Sequence, residues 1–164
     1  NDNLYFILIH NINKNILKTL KSRCLQFKIH LEFEKSLEIT NQILDQNVLD
    51  LINHDLINYY NSPGDYINLI KFSEEFSVDI KNIDLFKFIK ILINQNYYKK
   101  NDFIRYSIFD FIELYFLKVF NSTNNKNYLL SYYNHFVKKI NETNKFNLDI
   151  ESLLLEIKSK ILHG

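Results

Sequence analysis

Two patterns of hydrophobic and polar residues divide the chain: short periods before residue 32 and a helical period from Phe33 to the end. Leu4 to His10 is a continuous apolar run, too short for an independent helix, and predicts a strand buried on both faces of a parallel sheet. No other stretch supplies partner strands with crossover helices, so the strand is expected to be the last piece of a sheet encoded upstream. Ile16, Leu17 and Leu20, with Asn13 placed to cap, predict a short helix over Asn13 to Leu20. A turn at Lys21 to Arg23 follows. Leu25, Phe27, Ile29 and Leu31 then alternate with polar neighbours, the period of a half-buried strand over Cys24 to Leu31.

Beyond Phe33 the reading is helical throughout. Leu37, Ile39, Ile43 and Leu44 make one apolar stripe, and Val48, Leu49, Leu51, Ile52, Leu56 and Ile57 another. Ser62-Pro63-Gly64-Asp65 interrupts the pattern, with Pro63 suited to a first helical turn and Ser62 to its cap, so a helix is expected from there through Phe72. Further helices are expected over Ile83 to Gln95, Asp102 to Phe120, Asn127 to Asn141 and Leu148 to Leu162. A polar, Asn-rich loop at Asn121 to Asn127 separates two of them. Phe103, Ile104, Ile108, Phe109, Ile112, Tyr115 and Phe116 are so densely apolar that their helix must be covered on most sides, as the centre of a bundle.

Composition narrows the possibilities. The 164 residues match one domain or a few small pieces, and 46% hydrophobic with 15% aromatic residues is the balance of a folded chain. Ile, Asn, Lys, Phe and Tyr dominate while Ala, Met and Trp are absent, the bias of an AT-rich coding sequence. Arg23 and Arg105 are the only arginines among 20 basic residues. The formal net charge of +1 gives no global field toward nucleic acid or anionic lipid. A single cysteine excludes an internal disulfide and fits a reducing, cytoplasmic compartment. No apolar run approaches the roughly 20 residues of a membrane span, and no charged leader with a cleavage site is present. The chain opens on Asn1 and Asp2 without an initiator Met and is expected to begin inside a longer protein.

Independent catalysis is not expected. The only glycines are Gly64 and Gly164, so no glycine-rich loop can cradle phosphates. His10, His30, His54, His135 and His163 show no paired metal spacing. No nucleophile elbow occurs, and Cys24, taken alone, reads as a small buried hydrophobe. Glu74 and Glu75, like Asp149 and Glu151, are expected at helix starts, where carboxylates answer the helix dipole. Arg105 reads as a bundle-surface or interhelical residue. An isolated Arg23 would ordinarily tie down its turn or pair with a carboxylate.

Arg23 is not isolated, however. Phe6-Ile7-Leu8-Ile9-His10-Asn11, then Ile16-Leu17-Lys18-Thr19-Leu20-Lys21-Ser22-Arg23-Cys24, resembles the clamp-loader branch of the AAA+ ATPases, whose sheet-ending strand is followed by a helix and a Ser-Arg-Cys motif. The resemblance implies that Arg23, within Ser22-Arg23-Cys24, is an arginine finger reaching the ATP of a neighbouring subunit. A planar guanidinium bridges phosphate oxygens where an ammonium is only a point charge. Such fingers are worth about 10³ to 10⁵ in rate, or roughly 4 to 7 kcal/mol of barrier.

Asn61-Ser62-Pro63-Gly64-Asp65 is similar to the Gly-Ser-Pro-Gly start of the lid helix in the non-hydrolysing, delta-prime type of loader subunit. Gly64 then stands where hydrolysing relatives carry a nucleotide-sensing arginine, and Asn61 departs from the usual glycine. His10 departs too, at a place where relatives commonly have a small hydroxyl residue. Phe146-Asn147-Leu148-Asp149 with Leu153-Leu154-Leu155 resembles the terminal helix of the collar domain.

The resemblance covers nearly the whole chain, although only Ser-Arg-Cys and its preceding strand are specific, and it implies a mainly α chain. Residues 1–31 would be the end of an AAA+ core, 32–75 a small helical lid, and 76–164 a helical collar for ring assembly. It implies no cofactor on this chain, ATP-Mg on the neighbour, tau/gamma and delta subunits as partners, and the sliding clamp and primed DNA reached through the complex near the nucleoid. The family's P-loop region and zinc-binding segment would lie upstream. Two other readings stay open: a helical protein-interaction module with no nucleotide role, in which Arg23 would be buried in an ion pair, and a cut ATP-hydrolysing subunit of tau/gamma type.

Overall fold

Helix α7, Asp102–Ser122, is the element against which α5 (Leu85–Asn94), α6 (Tyr97–Lys100) and α8 (Lys126–Phe146) all pack. A computed structural model describes residues 5–9, 16–27, 31–123, 126–146 and 149–161. Ile104, Ile108 and Ile112, one turn apart along α7, are completely buried, and Phe111, Leu114 and Phe116 widen the buried surface around them. The Asn101 side chain starts the helix by accepting from the Ile104 N–H at 3.1 Å. Rings interlock across its faces, with Phe111 edge-on to Phe88 at 5.0 Å and Phe116 at 5.8 Å from Phe136.

The chain divides into two units, residues 1–30 and 31–164. In the second, α2 (Phe33–Leu44), α3 (Val48–Leu51), a 3-10 turn (His54–Leu56) and α4 (Pro63–Phe76) precede α5 to α8, and α9 (Ile150–Ile161) follows. One continuous core runs through this unit from Val48 to Ile157, so the segments expected as lid and collar share their buried side chains. Helix α9 joins that core through Leu153, Leu154 and Ile157. Among the described residues no helix is long and apolar enough to cross a membrane.

The helix α4 starts where the sequence places it. Ser62 precedes Pro63, and the Asp65 carboxylate accepts from both the Ser62 N–H at 2.8 Å and its hydroxyl at 2.7 Å. It ends later than expected, at Phe76 instead of Phe72, because both rings pack on Tyr97, at 4.7 Å for Phe76 and 5.3 Å for Phe72. Glu74 and Glu75 therefore sit in the last turn of α4, not at a helix start. Asp149 does begin α9, accepting from the Glu151 N–H at 3.1 Å. Helix α8 also outruns its expected end at Asn141, and Thr143 is buried in the extension.

The expected stripe on α2 is only partly what the helix buries. Ser36 and Thr40 face inward, their hydroxyls donating to Asn61 O at 2.8 Å and Ser36 O at 2.7 Å, while Ile43 stays 61% exposed. Small side chains with satisfied hydroxyls let α2 approach the turn before α4 closely without an unpaired buried polar atom. The second stripe is real but broken in two. Asn47 caps α3, Asn53 caps the 3-10 turn, and Val48, Ile52, Leu56 and Ile57 are buried from both pieces.

Residues 1–30 contain α1, Lys18–Lys21, inside the span expected to be helical but for Lys21; Asn13, its expected cap, lies outside the described residues. No strand is present among the described residues, so neither expected strand is seen at Tyr5–Ile9 or Leu25–Phe27; the remaining positions of the first strand, and Lys28 to His30 of the second, lie outside them. A strand buried on both faces is stable only between neighbours, and the described residues supply none. Tyr5 to Ile9 are accordingly exposed.

With glycine only at 64 and 164, left-handed turns fall to other residues: Asp45, Ser77 and Asn96 have φ of 52°, 53° and 55°. Ser77 closes α4, where a Cβ in that conformation is unfavourable and glycine is the usual choice. Gly64 is the converse case, since it lies in the first turn of α4 and an added Cβ would meet only Ser62 Oγ, at 3.7 Å. Both Ser77→Gly and Gly64→Ala are therefore expected to raise unfolding free energy in urea by about 0.5 to 1 kcal/mol. A loss in either would contradict the backbone geometry assigned to that position.

Candidate functional site

Ser22, Arg23 and Cys24 form the turn that leaves α1. Ser22 N–H donates to Lys18 O at 3.0 Å and its hydroxyl to Thr19 O at 3.1 Å, and Arg23 N–H donates to Leu20 O at 3.1 Å. The Gln26 side chain donates to Lys21 O at 3.1 Å, so all four carbonyls of α1 are engaged from the residues after it. These bonds hold the backbone of the turn and leave the side chains of Arg23 and Cys24 exposed. Arg23 is exposed, and among the described residues no carboxylate pairs with its guanidinium. Cys24 is exposed as well, contrary to the buried position expected for it, because Leu25 to Phe27 form no strand that would draw it into a core.

Ser62, Pro63 and Gly64 lie in the other unit, at the start of α4. Ser62 is the extended cap residue, Pro63 and Gly64 are in the first helical turn, and Gly64 has no positive φ. Five donors of a guanidinium fork can grip phosphate or carboxylate oxygens two at a time, and Arg23 has no ion-pair partner among the described residues. Arg105 is engaged between helices, as its interhelical reading anticipates: it donates to Tyr98 O at 3.3 Å and Lys99 O at 3.4 Å and pairs with Asp102 at 3.3 Å. It thereby answers the carbonyl end of α6 from the first turn of α7.

No family model matches the chain, and neither does any curated protein or solved structure. Among the described residues no three His, Cys, Asp or Glu side chains converge as a metal-binding group. His54 opens the 3-10 turn, and His135 lies 3.3 Å from Glu156, which Lys139 also contacts; His10, His30 and His163 fall outside the described residues. A recess bounded by Tyr98, Lys99, Arg105, Asp149 and Glu151 is already matched in charge. There Lys99 donates to Glu151 at 2.5 Å, a bond that raises the ammonium above its ordinary range, and backbone N–H groups of α9 hold Asp149 below its own.

Three charged groups of the bundle had no signal in the sequence, because tertiary packing sets their surroundings. Lys118 of α7 reaches back 63 residues to donate to Asp55, at 2.9 Å to its carbonyl and 2.8 Å to its carboxylate. Asp110 keeps an exposed edge, yet the protein packed around its carboxyl strips enough water to push it from 3.8 up to about 6, with Glu113 and Asp65 adding repulsion. Glu113 in turn accepts from the Tyr133 hydroxyl at 2.7 Å, the bond that chiefly pushes that phenol up to about 12.

Two measurements check this account. Folding takes up a proton at Asp110 between pH of about 4 and 6, so that residue's penalty is full above pH 6 and disappears below pH 4. Asp110→Asn is expected to gain roughly 1 kcal/mol at pH 8, discounted for the solvent that reaches the group, and to flatten the rise in stability on acidification. An unchanged pH profile would count against the assigned environment. For the Lys118 to Asp55 pair, a double-mutant cycle with Lys118→Met and Asp55→Asn is expected to yield a coupling of about 0.5 to 1 kcal/mol, as both side chains are partly exposed.

Proposed function

We propose that this chain is a non-hydrolysing subunit, of delta-prime type, in a bacterial DNA polymerase III clamp loader. Arg23 acts as an arginine finger on ATP-Mg held by a neighbouring tau/gamma subunit, and the helical unit beyond residue 31 supplies assembly surface. The chain itself binds no cofactor in this reading. Delta and tau/gamma subunits are its direct partners, the sliding clamp and primed DNA are met through the complex, and its place is the cytoplasm at the nucleoid.

The observation that carries the reading is the Ser22-Arg23-Cys24 turn, with an exposed guanidinium and a backbone held by its own hydrogen bonds. A finger in trans has to be available at a surface, because its ligand arrives with another chain. Arg23 meets that condition, whereas the interaction-module reading places Arg23 in a buried ion pair. Gly64 supports the non-hydrolysing assignment over a tau/gamma type, since it brings no cation to the start of α4.

The chemistry expected of Arg23 is electrostatic. As the bond to the γ-phosphoryl group lengthens, negative charge spreads over oxygens that a guanidinium can bridge at two points. No proton or covalent bond passes through the arginine.

Two stages test the reading. The tagged gene product, recovered from its own cell lysate, is expected to bring tau/gamma, delta and polymerase subunits in stoichiometric amount. In the assembled loader, Arg23→Ala is expected to lower DNA-stimulated ATP turnover by about 10³-fold or more, and Arg23→Lys not to restore it. Full turnover with Arg23→Ala, or a folded protein that recovers none of those subunits, would overturn the proposal.

A further inference from the structure

Charge is divided unevenly along the chain in a way its near-zero total conceals. Residues 1–30 hold five of the 20 Lys and Arg but one of the 19 Asp and Glu, so that unit has a net charge of +4 and the remainder −3. The single acid is Asp2, and from Asn3 to Leu31 there is none. Around Arg23 the cations are close together in sequence. Lys18 and Lys21 are the first and last residues of α1, three positions apart and so on one side of the helix, and Arg23 follows in the turn. All three are exposed.

Lys18 and Lys21 lie about 5 Å apart along the helix axis at 1.5 Å per residue, a spacing suited to a compact polyanion. No ion pair among the described residues engages either ammonium, and no carboxylate of residues 5–27 is present to compete. A structural role is poorly served by such a grouping, since like charges at this spacing repel within the helix. Adding a multiply charged anion reverses that cost.

We infer that Lys18 and Lys21 form one phosphate-contacting surface with Arg23, and that its ligand is the polyphosphate of a nucleoside triphosphate presented by a neighbouring chain. This rests on the arginine-finger reading and adds two residues to it with a different task. Arg23 offsets charge that develops during transfer and so acts on turnover. The lysines meet charge already present on the bound polyphosphate and so act on affinity and encounter.

The test uses the assembled loader with ATP-Mg and compares Lys18→Gln/Lys21→Gln with Arg23→Ala. The double lysine variant is expected to raise KM for ATP by about tenfold with kcat within about twofold, and to weaken the dependence of KM on salt. Lys18→Arg/Lys21→Arg is expected to return KM to its original value, which loss of folding or assembly would not allow. Circular dichroism and recovery of the complex establish that each variant is intact. Unchanged KM and salt dependence, in a loader that Arg23→Ala still disables, would overturn the role of the lysines and leave the finger standing. Full turnover with Arg23→Ala would instead remove the reading on which this inference rests.

Discussion

The structure depends on the burial of α7. Its isoleucine column at 104, 108 and 112 has no contact with water, and α5, α6 and α8 are each placed by what they lay against it. A helix apolar over so much of its circumference has no stable position at a surface, so the surrounding elements are obligatory and not additions. The polar fastenings lie at the periphery of this core. Arg105 answers the carbonyls of α6 and Lys118 reaches Asp55, yet both are partly exposed and worth far less than the core they border.

A second constraint comes from what the chain lacks. Without alanine, and with two glycines, the usual means of close helix packing and left-handed turns are scarce. Ser36 and Thr40 take the close-packing role on α2, with their hydroxyls satisfied, and Asp45, Ser77 and Asn96 take the left-handed positions. Asparagine, abundant through codon bias, is put to use at helix starts: Asn47, Asn53 and Asn101 each accept a backbone N–H there. A compositional bias that looks featureless thus becomes a set of local instructions.

Helices were legible wherever apolar spacing persisted over three turns, as in α5 and α7, and where a motif fixed the boundary, as Ser62, Pro63 and Asp65 do for α4. Helix ends were less so, since Phe76 prolongs α4 only because Tyr97 is there to receive it. The buried face of α2 could not be read from hydrophobicity, because the inward residues are hydroxyls whose partners include Asn61 O. Lys118 depends on Asp55, 63 positions away, and the environment of Asp110 on how the bundle packs around it, so neither leaves a periodic trace. Of the candidate site, the type and order of its residues were visible, and so was Arg23 as the arginine to explain. Its exposure, and that of Cys24, were properties of the turn. An alternating pattern such as Leu25, Phe27, Ile29 and Leu31 states only that a strand is affordable, and pairing decides whether one forms.

On the arginine-finger reading proposed above, these features bear on how a residue of one chain acts on phosphoryl transfer in another. A finger contributes only what it adds in the transition state, so its value lies in position and in charge that cannot be lost to a proton. Guanidinium meets the second condition without help from its surroundings. The first needs a backbone that does not drift, and the Ser22 hydroxyl, the Arg23 N–H and the Gln26 amide each bond within residues 19 to 26 to hold it. Fixing the backbone locally leaves the guanidinium itself out of the bonds that hold the turn. An arginine paired inside its own chain, as Arg105 is with Asp102, would first have to give up that partner. The contrast between the two arginines is therefore one of available charge: one is consumed in building the bundle, and the other is held out at the end of a short helix among lysines, with no acid nearby in sequence to neutralise it.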